Sequence, residues 1–472
     1  MHNSQPPLHI GKAIAGNVLA GSLGRIINAL TPLLLVPLMI RDWGLHEYGE
    51  WLILTAIPTY VMLSPDFGLA GAVVNQMAIS TAEANRAKAI TLYRTSWLIL
   101  TAMAVCFALI GILVAGLVNW KSLGVTLLAK HSAGIIAWSL VQIILGQQQL
   151  LLSGVYRCAR RNPRNGLLGS FGYTFFLLVG CTFLVLRCEP LTYIAASVAA
   201  RAVFLGIVLI DARSIMPDFT LGFRGASVQA VRPYIVPGLG HATMPLINAI
   251  QNEGTILVLG ALLGPVSVAI FQTTRTAVNG VKSLAGLVSS AIGLEIPALM
   301  GEGRLNSVRR LLILNTQVTT ATAVACLVVL GLFGAAVFRF WLRNAAVYST
   351  PLVLIMLVSM FPFAIAISFT LFLQATNRIH RAVLLLLPAA LVSLAVTALG
   401  GELFGLQGAA AGLFVYESLA MLIVCSIAAR YTEIQVRETL AGSLSVQSFL
   451  GTFKQVLCAS LEAFKQLRSA VS

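Results

Sequence analysis

Charge is scarce in this chain: 10% of its 472 residues are Asp, Glu, Lys or Arg, while 58% are hydrophobic. A soluble domain carries roughly a quarter of its residues as charges, so this composition excludes one, and the mean hydropathy of +0.89 agrees. Acidic residues are the scarcer sign, 16 against 31 Lys and Arg. Cysteines number seven, scattered and mostly inside apolar runs, with no CxxC and no paired spacing, which argues against a disulfide framework. The six histidines form no ligand pattern, and no HExxH, Walker A or DxD run occurs. No catalytic constellation, metal site or cofactor is therefore expected.

What the chain has in abundance is long apolar sequence. Crossing a hydrocarbon layer of about 30 Å takes about 17–25 apolar residues as a helix. Runs of that kind lie at 13–40, 49–73, 92–118, 131–155, 166–187, 191–211, 233–259, 265–293, 308–333, 351–375, 382–400 and 407–430. The expected fold class is an all-α polytopic membrane protein of about twelve transmembrane helices. The run that begins after Lys12 is too long for a signal-peptide core, so no cleavage is expected. A net charge of +15 would suggest nucleic acid in a soluble protein, but here placement decides. Of the 31 cations, 21 fall at one set of helix ends and six at the other, which places both termini in the cytoplasm by the positive-inside rule. No nucleic-acid partner is expected.

The longest polar stretch between spans, Asp211 to Arg232, divides the chain six and six. The expected organisation is an N-terminal lobe over 1–212, a cytoplasmic linker over 213–232, a C-terminal lobe over 233–430 and a cytoplasmic tail over 431–472. Asn28, Ala29 and Gly44 recur 220 residues later as Asn248, Ala249 and Gly264, a weak internal echo. An even number of helices per half would set the repeat axis along the membrane normal. In the tail, Ser443 to Ser472 places Phe449, Phe453, Val456 and Leu457 at helical spacing, opposite Lys454, Glu462 and Lys465. Such a helix could lie on the anionic leaflet or pack on the protein's own loops.

Seven charges fall inside the spans away from their ends: Arg25, Asp66, Arg201, Glu253, Arg275, Lys282 and Glu417. Each costs at least roughly 2.5–3.5 kcal/mol if it faces lipid, so an intramembrane charge needs a cavity or a partner. Arg275 and Lys282 stand seven residues apart and share a helix face with Gln272, Asn279 and Gly286. Asn28 adds to a polar stripe with Arg25 in the first helix, and Asn248 to one with His241, Asn252 and Thr255 in the seventh. Polar faces on helices 1, 2, 7 and 8 point to a cavity at the junction of the halves. The candidate substrate contacts are Arg25, Asn28, Asn248, Gln272, Arg275, Asn279 and Lys282. Arg25 could instead pair with Asp66, and Lys282 could snorkel to the surface. Asp66 reads as a helix cap or a gating group, and Glu253, near the outer end of its run, as a gating or coupling group or a solvated rim residue. Arg201 and Glu417 read as structural.

Gly21-Ser22-Leu23-Gly24-Arg25, the loop Arg41 to Trp51, and Asp66-Phe67-Gly68-Leu69 followed by Asn75 resemble the polysaccharide transport proteins. These are the O-antigen and lipid-linked oligosaccharide flippases of the multidrug/oligosaccharidyl-lipid/polysaccharide exporter superfamily. The specific motifs lie in the first ~80 residues, while helix count and half-organisation extend the likeness over the chain. The resemblance implies two six-helix lobes around a central cavity. It implies alternating access of an undecaprenyl-pyrophosphate-linked glycan across the bacterial inner membrane in polysaccharide or O-antigen lipopolysaccharide synthesis. Implied partners are the lipid-linked glycan, membrane lipids, a proton or sodium ion as coupling ion, and a polysaccharide polymerase or other assembly proteins. Lumenal cations suit a pyrophosphate. Two alternatives stand beside it: a drug or cation antiporter of the same superfamily, and a membrane glycosyltransferase or ligase, for which no sizeable outer loop is available.

Overall fold

The computed structural model describes residues 8–63, 69–222, 225–234, 243–343, 348–376, 378–431 and 441. Asp66, His241 and the expected tail helix lie outside the described residues, as does the side chain of Arg25. Among the described residues every long element is a helix, because a backbone in hydrocarbon must satisfy its own hydrogen bonds.

Two helices run continuously through sharp glycine corners. Leu8–Leu63 turns at Gly44 (φ 78°, ψ 171°) and His380–Ala428 at Gly405 (φ 62°, ψ −146°), conformations that side-chain-bearing residues rarely adopt. Divided there, the chain has α1 (8–43), α2 (45–63, resuming over Leu69–Ala82), α3 (Arg86–Leu117), α4 (Ser132–Cys158), α5 (Asn162–Val185) and α6 (Pro190–Ile215). The second set is α7 (Thr243–Leu263), α8 (Pro265–Gly301), α9 (Leu305–Leu342), α10 (Thr350–Ala375), α11 (380–404) and α12 (406–428). Among the described residues these twelve helices match the twelve apolar runs, although several extend a turn or more beyond them. α6 continues to Ile215, inside the stretch expected as linker.

The echo at an offset of 220 residues has a backbone counterpart. Gly264, between α7 and α8, adopts φ 78° and ψ 175°, nearly the values of Gly44 between α1 and α2. Both halves thus open with two helices joined at the same kind of corner. These corners lie at the end of the molecule away from the described N-terminal turns, and there the halves meet. A Cβ on Gly49 would run into the carbonyl oxygen of Pro265, and one on Gly124 into its ring, so the backbones touch where side chains would hold them apart. Ile53 packs against Gly260 nearby. One apolar cluster, with Ile53, Leu259 and Val268, runs through this contact, and a smaller one brings Tyr60 against Ile247 and Ile250, while two others stay within one half.

At the same end the wholly buried Glu50 accepts hydrogen bonds from the backbone N–H groups of Thr126 (2.7 Å), Leu127 (3.0 Å) and Leu128 (2.6 Å), pinning the α3–α4 connection to α2. Trp43 donates to the Cys188 carbonyl at 2.9 Å and packs with Trp51 and Tyr193, the kind of aromatic group that sits at a membrane boundary. At the opposite end, Arg94 donates to the Thr220 carbonyl at 3.0 Å and Arg86 pairs with Asp218 at 2.9 Å, docking the segment after α6 on α3. Leu109, Leu113, Leu332, Leu399 and Phe404 are exposed, as lipid-facing residues must be.

The Gly49–Pro265 contact makes the junction testable. Gly49→Val is expected to separate the halves at this end. The measurement is maleimide labelling of a cysteine at position 53 in a background without the native cysteines: fast labelling in the variant, slow labelling with glycine retained.

Candidate functional site

Below the corner contact, α1 and α8 diverge around a cleft of about 420 Å³. Its walls are Ile26, Asn28, Ala29, Leu30 and Leu33 from α1, and Ala277, Gly280, Val281, Ser283 and Gly286 from α8. Leu33 closes its upper part against Gly280, and Trp341 of α9 donates its indole N–H to the Leu33 carbonyl at 2.7 Å across the halves. The wall is mostly apolar, with Ile26 and Leu30 exposed.

A cavity lies at the junction of the halves; its described wall comes from α1 and α8, and among the candidate contacts whose side chains are described, Asn28 stands in it. Asn248 and Asn279 are exposed elsewhere on α7 and α8. The Arg275–Lys282 face instead turns into the C-terminal half. Spacing showed that the two cations share a stripe; it could not show which neighbour the stripe meets.

Arg275 is buried, 5% exposed, and donates from Nη1 to the Gln251 carbonyl at 3.0 Å. That carbonyl belongs to a stretch where α7 leaves α-geometry, the π-helical turn Ile250–Gly254, and it also accepts from the Thr255 hydroxyl at 2.8 Å. Such bulges recur at functional sites. A Cβ on Gly254 would strike the Tyr60 hydroxyl of α2, so the bulged turn is also where the halves approach at mid-depth. Glu253, expected near the outer end of its helix, sits inside this turn, midway along α7, half-buried and close enough to Arg275 and Tyr60 to interact with both electrostatically. The Gln251 side chain reaches the other way, donating to the Ala390 carbonyl at 3.3 Å, and Ser393 donates to its Oε1 at 3.4 Å and to the Gly412 carbonyl at 2.7 Å. α7, α8, α11 and α12 are thereby stitched together. Gln272, one turn from Arg275, is half-buried with its Oε1 unpaired.

Lys282 neither lines the cleft nor snorkels to the surface. Its Nζ lies 2.7 Å from Glu417 of α12, with the two side chains 13% and 10% exposed, and 4.6 Å from the ring centre of Phe363. Glu417, read as structural, is thus the specific counter-ion of Lys282, 135 residues away in sequence.

The N-terminal half holds a different arrangement. A cavity of about 430 Å³ lies between α4, α5 and α6, with Arg157 and Gln149 on α4, Asn165, Tyr173 and Phe176 on α5, and Arg201 on α6. The Arg201 guanidinium stands 4.9 Å from the Phe176 ring centre. Its Nε is buried with no hydrogen-bond partner. Among the described residues no carboxylate pairs with Arg157 or Arg201, and no cluster of His, Cys, Asp and Glu could hold a metal.

No family model matches the chain. Over 351 residues it is 22% identical to the putative O-antigen transporter of Escherichia coli (strain K12), covering 72% of this chain and 78% of that protein. Among solved structures it is similar to a MATE-family multidrug resistance transporter of the MOP superfamily in an inward-facing conformation, with a TM-score of 0.66 and 14% identity over 89% of this chain and 96% of that one. It is also similar to the lipid II flippase MurJ in an inward closed conformation, with a TM-score of 0.65 and 12% identity over 94% and 92%. The chain therefore has the all-helical fold of the MOP transporters, the multidrug/oligosaccharidyl-lipid/polysaccharide class.

Proposed function

We propose that this protein is a flippase that carries a lipid-linked oligosaccharide across a bacterial inner membrane by alternating access, with both termini cytoplasmic and no enzymatic step. The 22% identity to the putative O-antigen transporter supports the branch. The observation that carries the choice within the fold is the state of the two described intramembrane acids. Lys282 neutralises Glu417 at 2.7 Å, and Arg275 stands beside Glu253. An exporter of organic cations needs an uncompensated carboxylate to receive its cargo; Glu417 is paired, and Glu253 already has a cation beside it. Arg201 and Arg157 remain as unpaired cations, which favours an anionic cargo.

On this reading the two lobes, 1–212 and 233–430, rock about the Gly49–Pro265 contact, and the α1–α8 cleft admits the head group while the lipid tail stays in the bilayer. Glu253, in the bulged turn where α7 meets Tyr60, is the group that couples closure to a proton or sodium gradient. Arg275 acts by holding that turn. The lipid-linked glycan and the surrounding lipids are its partners, with a polysaccharide polymerase acting downstream.

The test is expression in a bacterium deleted for its own oligosaccharide flippase, with surface polymer measured by immunoblot and drug tolerance measured in parallel. Restored polymer with unchanged tolerance is expected. Raised tolerance without polymer would overturn the proposal.

A further inference from the structure

We propose that the cavity between α4, α5 and α6 is a binding site for a phosphate-ester anion, with Arg201 as its deep contact and Arg157 at its mouth. The case begins with cost. A guanidinium inside a membrane protein is retained when it pairs, hydrogen-bonds or faces a polar cavity. The other described intramembrane cations pair or bond: Lys282 to Glu417, Arg275 to the Gln251 carbonyl beside Glu253. Arg201 has neither kind of partner at Nε, which is buried and unsatisfied, while its guanidinium carbon stands 4.9 Å from the Phe176 ring centre. A guanidinium that lines a cavity beside an aromatic ring, with no acid paired to it, is suited to receive an oxyanion.

The rest of the wall fits the same ligand. Arg157, exposed at the α4 end, bonds only the neutral amide of Asn75, at 2.9 Å, and so keeps its charge available. Asp211, the acid nearest in sequence beyond Val208 of the lining, is taken: Arg164 donates to it at 3.0 Å and Tyr156 at 2.9 Å. Arg157 and Gly146 on the α4 wall lie eleven residues apart, or about 16 Å along the helix, so the cavity reaches from the membrane surface toward mid-depth. Leu150, Leu168 and Phe204 supply an apolar flank beside the cations, which suits an anion carried on a hydrocarbon.

Arg201 also stands at a junction. A second cavity of about 300 Å³ uses Ser197 and Gln142, each one helical turn further along the same faces of α6 and α4 as Arg201 and Gly146. The deep arginine therefore separates a compartment that reaches the surface from one that continues toward the corner end. Only the source of the anion, a lipid-linked head group, rests on the transport reading; binding itself does not.

The experiment titrates the full-length protein, purified in a neutral detergent, with farnesyl diphosphate, inorganic pyrophosphate and farnesol. The expected result is saturable binding of farnesyl diphosphate, weakened by about tenfold or more in Arg201→Gln and less in Arg201→Lys, with no binding of farnesol. Pyrophosphate binding as tightly as the prenyl diphosphate would support the site and assign it to the free anion; a marked preference for the prenyl form would support it and assign it to the lipid-linked one. Unchanged affinity in Arg201→Gln, or farnesol competing on equal terms, would overturn the proposal. Arg157→Gln, on an exposed side chain, serves if the deep variant fails to purify: weakened diphosphate binding supports the site and wild-type affinity overturns it. A protein that binds diphosphate yet restores no surface polymer would refute the transport reading and leave this site standing.

Discussion

Lys282→Met is expected to lower stability by about 3–5 kcal/mol, because it leaves Glu417 as an uncompensated charge inside the C-terminal half. Both side chains are nearly enclosed, and Phe363 covers the ammonium. The pair as a whole contributes far less than that, since removing two charges from water offsets most of their attraction. Lys282→Met with Glu417→Gln should therefore recover most of the loss, and Glu417→Gln alone should cost less than Lys282→Met alone. Thermal unfolding of the four proteins in one detergent checks this. Equal melting temperatures throughout would mean that Lys282 and Glu417 do not meet.

Arg275→Gln is expected to abolish transport while protein stays in the membrane. Arg275 holds the Gln251 carbonyl and sits beside Glu253, so its loss frees the bulged turn and leaves Glu253 without its cation. A loss of even 2–3 kcal/mol from that arrangement is roughly a 30- to 150-fold change in an equilibrium between two states. Arg275→Lys keeps the charge but not the planar fork, so partial activity is expected. Surface polymer normalised to membrane protein is the readout; full polymer with Arg275→Gln would remove Arg275 from the mechanism.

The helices were legible because hydrocarbon leaves the backbone few options: apolar runs of sufficient length marked all twelve, and Gly44 and Gly264 marked equivalent corners through a local echo. The polar residues were legible as positions but not as partners. Which face of α8 meets the cleft depends on the rotation of α8 against α1, and that rotation is a tertiary property; Arg275 and Lys282 turned inward, and the neighbouring face with Ala277, Gly280 and Ser283 met the cleft, joined by Gly286 at the end of the stripe. Glu417 was invisible as the counter-ion of Lys282 because nothing local joins residues 135 apart. The bulge did leave a trace: Gln251, Asn252 and Glu253 are three consecutive polar residues, which a regular helix cannot place on one face. Arg201 gave no signal beyond its charge, since a missing partner is recognised only when the surroundings are known.

The most direct test of transport uses the purified protein in liposomes with a short-chain diphosphate-linked oligosaccharide confined at the start to the inner leaflet. A glycan-cleaving enzyme outside reports arrival at the outer leaflet. Protein-dependent cleavage that Arg275→Gln abolishes is expected; cleavage no faster than in protein-free liposomes, from protein that remains folded, would rule out transport of this substrate.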